Sequence, residues 1–321
     1  MSAYHLMDVY NYTALYLLYE WSKPSGMRIE VLGAGGAWGV PRPFCPCPIC
    51  VEARQKGAPY TRYGPSLFIH DLKLLIDTPE EIAVQLNRAG ILRVDSVFYS
   101  HWHPDHTAGF RVWEGNWNSN PESLYEFPPV VNPTTVYLPV NVAATFEEYH
   151  ALKTKCDYAV AAGVITVAII PTHESVIIQG VKVTPLQLAE EIACGFLLEW
   201  TDERPKRVLI LIDEVFGWLP PPDLGHLDLV FIPAGVFDLH PLTGERRIPL
   251  NHPLLKREIT HGQVLDLLRC LDAERVVFVH LNETDRLHLT EYQEVARRIN
   301  AARQGIIPEV MFAYDTLILT V

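Results

Sequence analysis

At 321 residues and 49% hydrophobic, the chain is long enough to bury a large core in one domain or two. Its formal charge of −12 argues against a general binder of long nucleic acids, which needs a basic face, but leaves room for a small anionic substrate at a metal ion. No apolar run reaches the roughly 18 residues of a membrane span, no basic start leads into an apolar signal region, and the six cysteines make no disulfide framework, so the expectation is a cytoplasmic protein without a membrane partner.

Residues 1–26 read as an N-terminal extension and 27–321 as the domain proper. Within the extension, Tyr10 to Trp21 is aromatic and apolar. It suits a short helix or strand packed on the body or on a second subunit, which leaves a homodimer open. Arg28 to Gly33 reads as the first strand, and Ala34-Gly35-Gly36-Ala37 turns the chain. Prolines follow that glycine run and no helical pattern does, so it is no dinucleotide fingerprint. The loop up to Gly64 holds Cys45, Cys47 and Cys50. Strands from Ser66 to His70 and Leu72 to Ile76 lead to a helix from about Pro79 to Ala89, stopped by Gly90.

Val94 to Tyr99 reads as a buried strand, apolar and β-branched or aromatic. Residues 110–133 form a loop rich in aromatics and proline, placed either to wall a site or to pack as a surface flap. A strand from Thr135 to Leu138, a helix from Val142 to Lys153 and a strand from Val164 to Ile170 come next. Val176 to Ile178 and Val181 to Leu188 make a hairpin turned at Gln179-Gly180. The second half repeats the theme. Strands run from Cys194 to Trp200, Arg207 to Ile212, Leu227 to Ile232 and Arg275 to Val279. Helices cover Thr260 to Leu271 and Thr290 to Ala302, and two strands close the chain. No linker divides it, so one domain of two β-rich halves fits best.

The densest chemistry is Ser100-His101-Trp102-His103-Pro104-Asp105-His106, directly after the Val94 to Tyr99 strand. In extended chain, residues two apart point the same way, so His101 and His103 can bind one ion together. Asp105 and His106 lie past a bend, because Pro104 bars a regular helix from running through. Imidazole and carboxylate are ordinary ligands of first-row metals.

This H-x-H-x-D-H run, with Leu75-Ile76-Asp77-Thr78 upstream, resembles the metallo-β-lactamase superfamily over nearly the whole chain from about Met27. The resemblance implies an αββα sandwich, two mixed β-sheets flanked by helices, with a metal site at one edge of the sheets. Asp213, ending an apolar strand, stands where the superfamily places its bridging aspartate. His280, after Val277-Phe278-Val279, stands where it places its last metal histidine. A third histidine to the first metal is missing, and Glu190 falls nearest its place. A glutamate there would favour Mn or Fe more than an all-histidine site does.

Cys45, Cys47 and Cys50, at C-x-C-x-x-C spacing in a proline-stiffened loop, suit a structural zinc short of one ligand. That narrows the resemblance to the branch holding a cyclic phosphate phosphodiesterase of carbon–phosphorus lyase metabolism and a protein of pyrroloquinoline quinone biosynthesis. The phosphodiesterase completes its zinc with a histidine at the position of Glu283, which makes Glu283 the candidate fourth ligand here, with His261 and His288 behind it. His252 or His261 could reach a substrate.

The function implied is a metal-dependent hydrolase of a small, possibly cyclic, phosphodiester. One or two ions (Zn, Mn or Fe) would make a bound water acidic. Asp105 would bind metal and take the nucleophile's proton, and His280 or a loop histidine would protonate the leaving oxygen. The alternatives are a cofactor-biosynthesis protein acting as an iron oxygenase or carrier, and a metal-poor binding protein.

Overall fold

The structure, a computed structural model, describes residues 26–118, 129, 131–171, 174–189, 192–200, 205–303 and 305–321. Runs of Val, Ile, Leu and Phe separated by turn residues give strands, and these assemble into two seven-stranded sheets. The first sheet holds β1 (Arg28–Gly33), β2 (Ser66–Ile69), β3 (Leu74–Ile76), β4 (Ser96–Phe98), β5 (Thr134–Pro139), β6 (Ile165–Ile170) and β14 (Leu317–Thr320). The second holds β7 (Val176–Ile178), β8 (Val181–Gln187), β9 (Cys194–Trp200), β10 (Arg207–Ile210), β11 (Leu227–Pro233), β12 (Ala273–Val279) and β13 (Glu309–Phe312). Each sheet is mixed. β3 to β6 run parallel in the first, and β10 to β13 in the second. Both parallel blocks therefore present the carboxyl ends of their strands, where αβ proteins place their sites.

One hydrophobic cluster fills the space between the sheets, joining Ile29, Leu67, Phe98 and Val136 to Phe196, Ile210 and Phe231. Another packs the outer face of the second sheet, where Val264, Leu268, Tyr292 and Val295 lie on Val230, Ile232 and Phe278. The outer helices are α6 (His261–Leu268) and α7 (Leu289–Ala302) on that side. With helices also flanking the first sheet, the architecture is the αββα sandwich.

Several local expectations need correction. The cysteine loop contains a helix, α1 (Pro48–Lys56). Pro48 sits in its first turn, and Cys47 caps it by accepting from Cys50 N. The helix after β3 begins only at α2 (Ile82–Arg88). The strand drawn from Leu72 starts at Leu74, because Lys73 turns left-handed at φ 46° after a short 3₁₀ turn. The motif also contains a one-turn helix, α3 (Pro104–Thr107), which Pro104 opens. The helix expected over Val142 to Lys153 is two helices, α4 (Val140–Glu148) and α5 (Leu152–Ala161). His150 and Ala151 between them both have φ 54°, a left-handed conformation that no helix interior accepts. Of the extension 1–26, residues 1–25 lie outside the described residues. Of the aromatic loop, Ala108–Asn116 is 3₁₀ helix. Within it Trp113 is core, with its Nε1 donating to Tyr99 Oη at 3.1 Å, and is not a wall of the site.

Candidate metal centre

Four strand ends supply the site. Asp77 follows β3, His101 follows β4, Asp213 follows β10 and His280 follows β12. Asp77 (φ 60°) and His280 (φ 56°) are left-handed although neither is glycine. Such a conformation costs on the order of 1 kcal/mol or more and persists where the surroundings enforce it. Here it turns the chain sharply off the strand, so the side chain faces across the sheet edge.

Asp213 joins the two halves. Its Oδ2 lies 2.7 Å from His101 Nε2, 3.8 Å from His103 Nδ1 and 3.8 Å from His106 Nε2. Its Oδ1 lies 3.2 Å from His280 Nε2. Asp105 Oδ2 is shared between His106 Nε2 at 3.3 Å and His280 Nε2 at 3.5 Å. Two overlapping donor groups result. His101, His106 and Asp213 make one, and Asp105, His106 and His280 make the other. His103 stands at the rim, 2.8 Å from His101 Nε2, with 39% of its side chain exposed.

Burial pushes the Asp213 carboxyl up, yet the imidazoles of His280 and His101 outweigh it and hold the group well below the usual carboxylate range. Burial likewise opposes ionisation of Asp105, and His106 and His280 overcome it. His106 Nε2 and His280 Nε2 are buried, and although carboxylate oxygens stand 3.3 and 3.2 Å away, neither makes a hydrogen bond of good geometry among the described residues. A buried ring nitrogen without a partner is costly. A cation at its lone pair would satisfy it, and the surrounding carboxylates would balance the charge. The donor set therefore fits one or two divalent ions of the imidazole- and carboxylate-binding kind.

The sequence reading gave Asp77 no role. It is fully buried and accepts from Ser100 N (2.7 Å), Ser100 Oγ (2.6 Å) and His106 Nδ1 (2.7 Å). It fixes the tautomer that leaves His106 Nε2 free to face the site. Its place at the end of the Leu74–Ile76 strand was the available signal. Gly36 was also missed. A Cβ there would lie 2.7 Å from His280 Nδ1 and 2.6 Å from Asn282 Oδ1. The glycine loop is laced to the His280 loop by Leu281 N donating to Ala34 O at 2.9 Å and Glu283 N donating to Trp38 O at 3.2 Å.

Glu190 lies outside the described residues, so its place at the missing third histidine is not described. The cysteine group is compact. Cys45 Sγ and Cys47 Sγ lie 3.3 and 3.4 Å from Glu283 Oε1, with Cys50 Sγ at 4.0 Å, all four donors falling within 4.8 Å of one another. Glu283 is fully buried, and among the described residues Arg42 (3.3 Å) and Arg286 (3.4 Å) are the cations that pair with it. A carboxylate buried among three thiols fits a bound cation. The other two candidates stand elsewhere. His261 Nδ1 meets Ala234 O at 2.7 Å, and His288 Nδ1 meets Glu52 Oε2 at 2.7 Å. His261 is buried on the rings of Phe237, Phe278 and Phe312 and does not present itself to a substrate. His252 is exposed and caps a 3₁₀ turn through Leu254 N. A further grouping of His226, Asp228 and Glu274 lies at the surface, and Asp228 is already paired with Lys206 and Arg207 N.

No curated protein matches the chain in sequence. Solved structures do share its fold. A diphosphatase described as a new member of the PhnP family is 21% identical, covering 92% of this chain and 98% of its own, with a TM-score of 0.62. Zn(2+)-bound PqqB from Methylobacterium extorquens is 20% identical, covering 92% and 100%, with a TM-score of 0.66. YhfI from Bacillus subtilis, a metallo-β-lactamase fold protein, is 11% identical over 92% and 100%, with a TM-score of 0.58. No helix among the described residues is long and apolar enough to cross a membrane. The family model of the beta-lactamase superfamily domain matches residues 73–281, a span that runs from β3 through the motif and Asp213 to His280, and the chain belongs to the metallo-β-lactamase superfamily.

Proposed function

We propose that the protein is a metal-dependent hydrolase of small, anionic phosphodiesters, cyclic ones included. One observation carries the reading. Asp213 turns one oxygen to His101 and the other to His280, so a single carboxylate spans two donor groups as a bridge between two ions requires. His101, His103 and Asp213 would hold one ion, and Asp105, His106, Asp213 and His280 the other. A divalent ion in such a site supplies an acidic water near neutral pH and positive charge for phosphoryl oxygens.

The chain's own residues supply the proton handling. Asp105 Oδ2, at the junction of His106 and His280, is assigned to take the nucleophile's proton. His280 Nε2 faces the same oxygen and would be a ligand of the second ion, so the leaving oxygen takes its proton from solvent. Cys45, Cys47, Cys50 and Glu283 would hold a separate structural zinc that fastens the cysteine loop to the His280 loop. A PhnP-family diphosphatase of similar fold is in keeping with hydrolysis at phosphorus on this scaffold.

Metal analysis of the purified protein tests the reading. One or two Zn or Mn ions beyond the cysteine-bound zinc support the hydrolase. One Fe at the core site would favour an oxygenase or carrier of the quinone-biosynthesis kind. Zinc at the cysteines alone would favour a binding protein.

A further inference from the structure

The motif residue between the two leading histidines has no part in the chemistry above. Trp102 lies edge to face with His103, with ring centroids 4.5 Å apart at 74°. Its indole stacks on Tyr149 at 4.0 Å and 14°, and lies nearly parallel to His150 at 5.4 Å and 23°. Trp102 Nε1 has no hydrogen-bond partner among the described residues, so ring contacts hold the indole in place.

This stack stands where a tight turn puts it. Tyr149 closes α4, and His150 and Ala151 turn left-handed at φ 54° each before α5. Two successive strained residues fold the chain back so that both rings meet Trp102. Tyr149 is 38% exposed and His150 is exposed, so both rings keep surface open to solvent. His103, the candidate ligand at the rim, separates the stack from Asp213 by one ring.

We propose that Trp102, Tyr149 and His150 form a stacking subsite beside the metal centre, which receives a planar aromatic or heteroaromatic group carried by the substrate. This rests on the phosphoester reading and narrows it: the preferred substrates are phosphoesters bearing an aryl or nucleobase-like ring. Stacking on an exposed aromatic face is sequence-tolerant and worth about tenfold in affinity for one ring. Trp102 is then a positioning residue, built into the metal motif itself, that backs the exposed rings of Tyr149 and His150. The subsite takes one small ring and makes no demand for a basic surface, in keeping with the charge of −12.

Two non-hydrolysable probes of equal headgroup test this without relying on turnover. Phenylphosphonate and methylphosphonate are titrated calorimetrically into the metal-loaded protein. Phenylphosphonate is expected to bind about tenfold tighter. Tyr149→Ala is expected to abolish most of that advantage, and Tyr149→Phe to keep it. Equal affinities in the wild type, an advantage unchanged in Tyr149→Ala, or no binding of either probe would overturn the proposal. A separate assay with methyl p-nitrophenyl phosphate distinguishes the two failures. Hydrolysis without a ring preference leaves the hydrolase standing and removes the subsite. A ring preference without hydrolysis does the reverse.

Discussion

Asp77 Oδ2 sits 2.7 Å from His106 Nδ1, and both side chains are wholly buried. An ionised carboxylate at that distance holds a proton on Nδ1, so Nε2 is the nitrogen that faces Asp105 and Asp213 and can give its lone pair to an ion. The carboxylate thus acts on the candidate metal centre through a histidine it never shares with solvent. Replacing Asp77 by Asn keeps the shape, but turns either an amide N–H or a weaker acceptor toward the ring. Partners of this kind are worth about 10- to 100-fold in metal affinity. Asp77→Asn is therefore expected to weaken the core site by that factor in a competition titration against a chelating dye. Unchanged affinity would mean that His106 is not a ligand.

Gly36 gives a second prediction. A methyl group there would approach His280 Nδ1 and Asn282 Oδ1 to under 3 Å. The loop cannot simply back away, since Ala34 and Trp38 are both hydrogen-bonded to the His280 loop. Gly36→Ala is expected to cost about 1–3 kcal/mol, as overpacking does, and to lower metal occupancy at the core site. Urea denaturation with metal analysis checks both effects together.

The cysteine group gives a third. Cys47→Ser removes one of three thiolates and should release one zinc per chain, with a lower melting temperature. Glu283→Gln is the sharper companion, because it keeps the volume and removes the charge buried among the thiols. Zinc retained in full by both variants would show that these four residues hold no ion.

His261 gives a pH prediction away from any metal ligand. Burial pushes its imidazole down to about 4 from an ordinary 6.5, although its bond to Ala234 O and the charge of Asp238 pull upward. The folded state resists taking the proton. The contribution to stability is therefore fully present above pH 6.5 and is lost as pH falls from there through 4. The loss is on the order of 3 kcal/mol. His261→Asn, which can still donate to Ala234 O, should flatten that acid limb in denaturation curves taken across the window. An identical pH dependence in the variant would count against it.

The core of the site was legible because its spacing is local. His101, His103, Asp105 and His106 fall within six positions behind an apolar strand, and Asp213 and His280 each follow one. Asp77 was visible as a strand-end carboxylate, but its job depends on β3 lying beside β4, which no local pattern records. Gly36 was harder still, since its constraint comes from a loop more than 240 residues away. Helix α1 was hidden because proline and cysteine obscure helical periodicity. The break between α4 and α5 was hidden because neither His150 nor Ala151 announces a left-handed turn.

The central claim is that Asp213 unites two metal-binding groups that hydrolyse phosphodiesters. Hydrolysis of bis(p-nitrophenyl) phosphate and of a 2′,3′-cyclic nucleotide, followed through chelation and metal restoration in wild type and Asp213→Ala, tests it most directly. The account predicts activity that chelation abolishes, that added Mn or Zn restores in the wild type, and that no added metal restores in Asp213→Ala. Turnover in Asp213→Ala equal to wild type, or no turnover of either ester at any metal loading of the wild type, would contradict it.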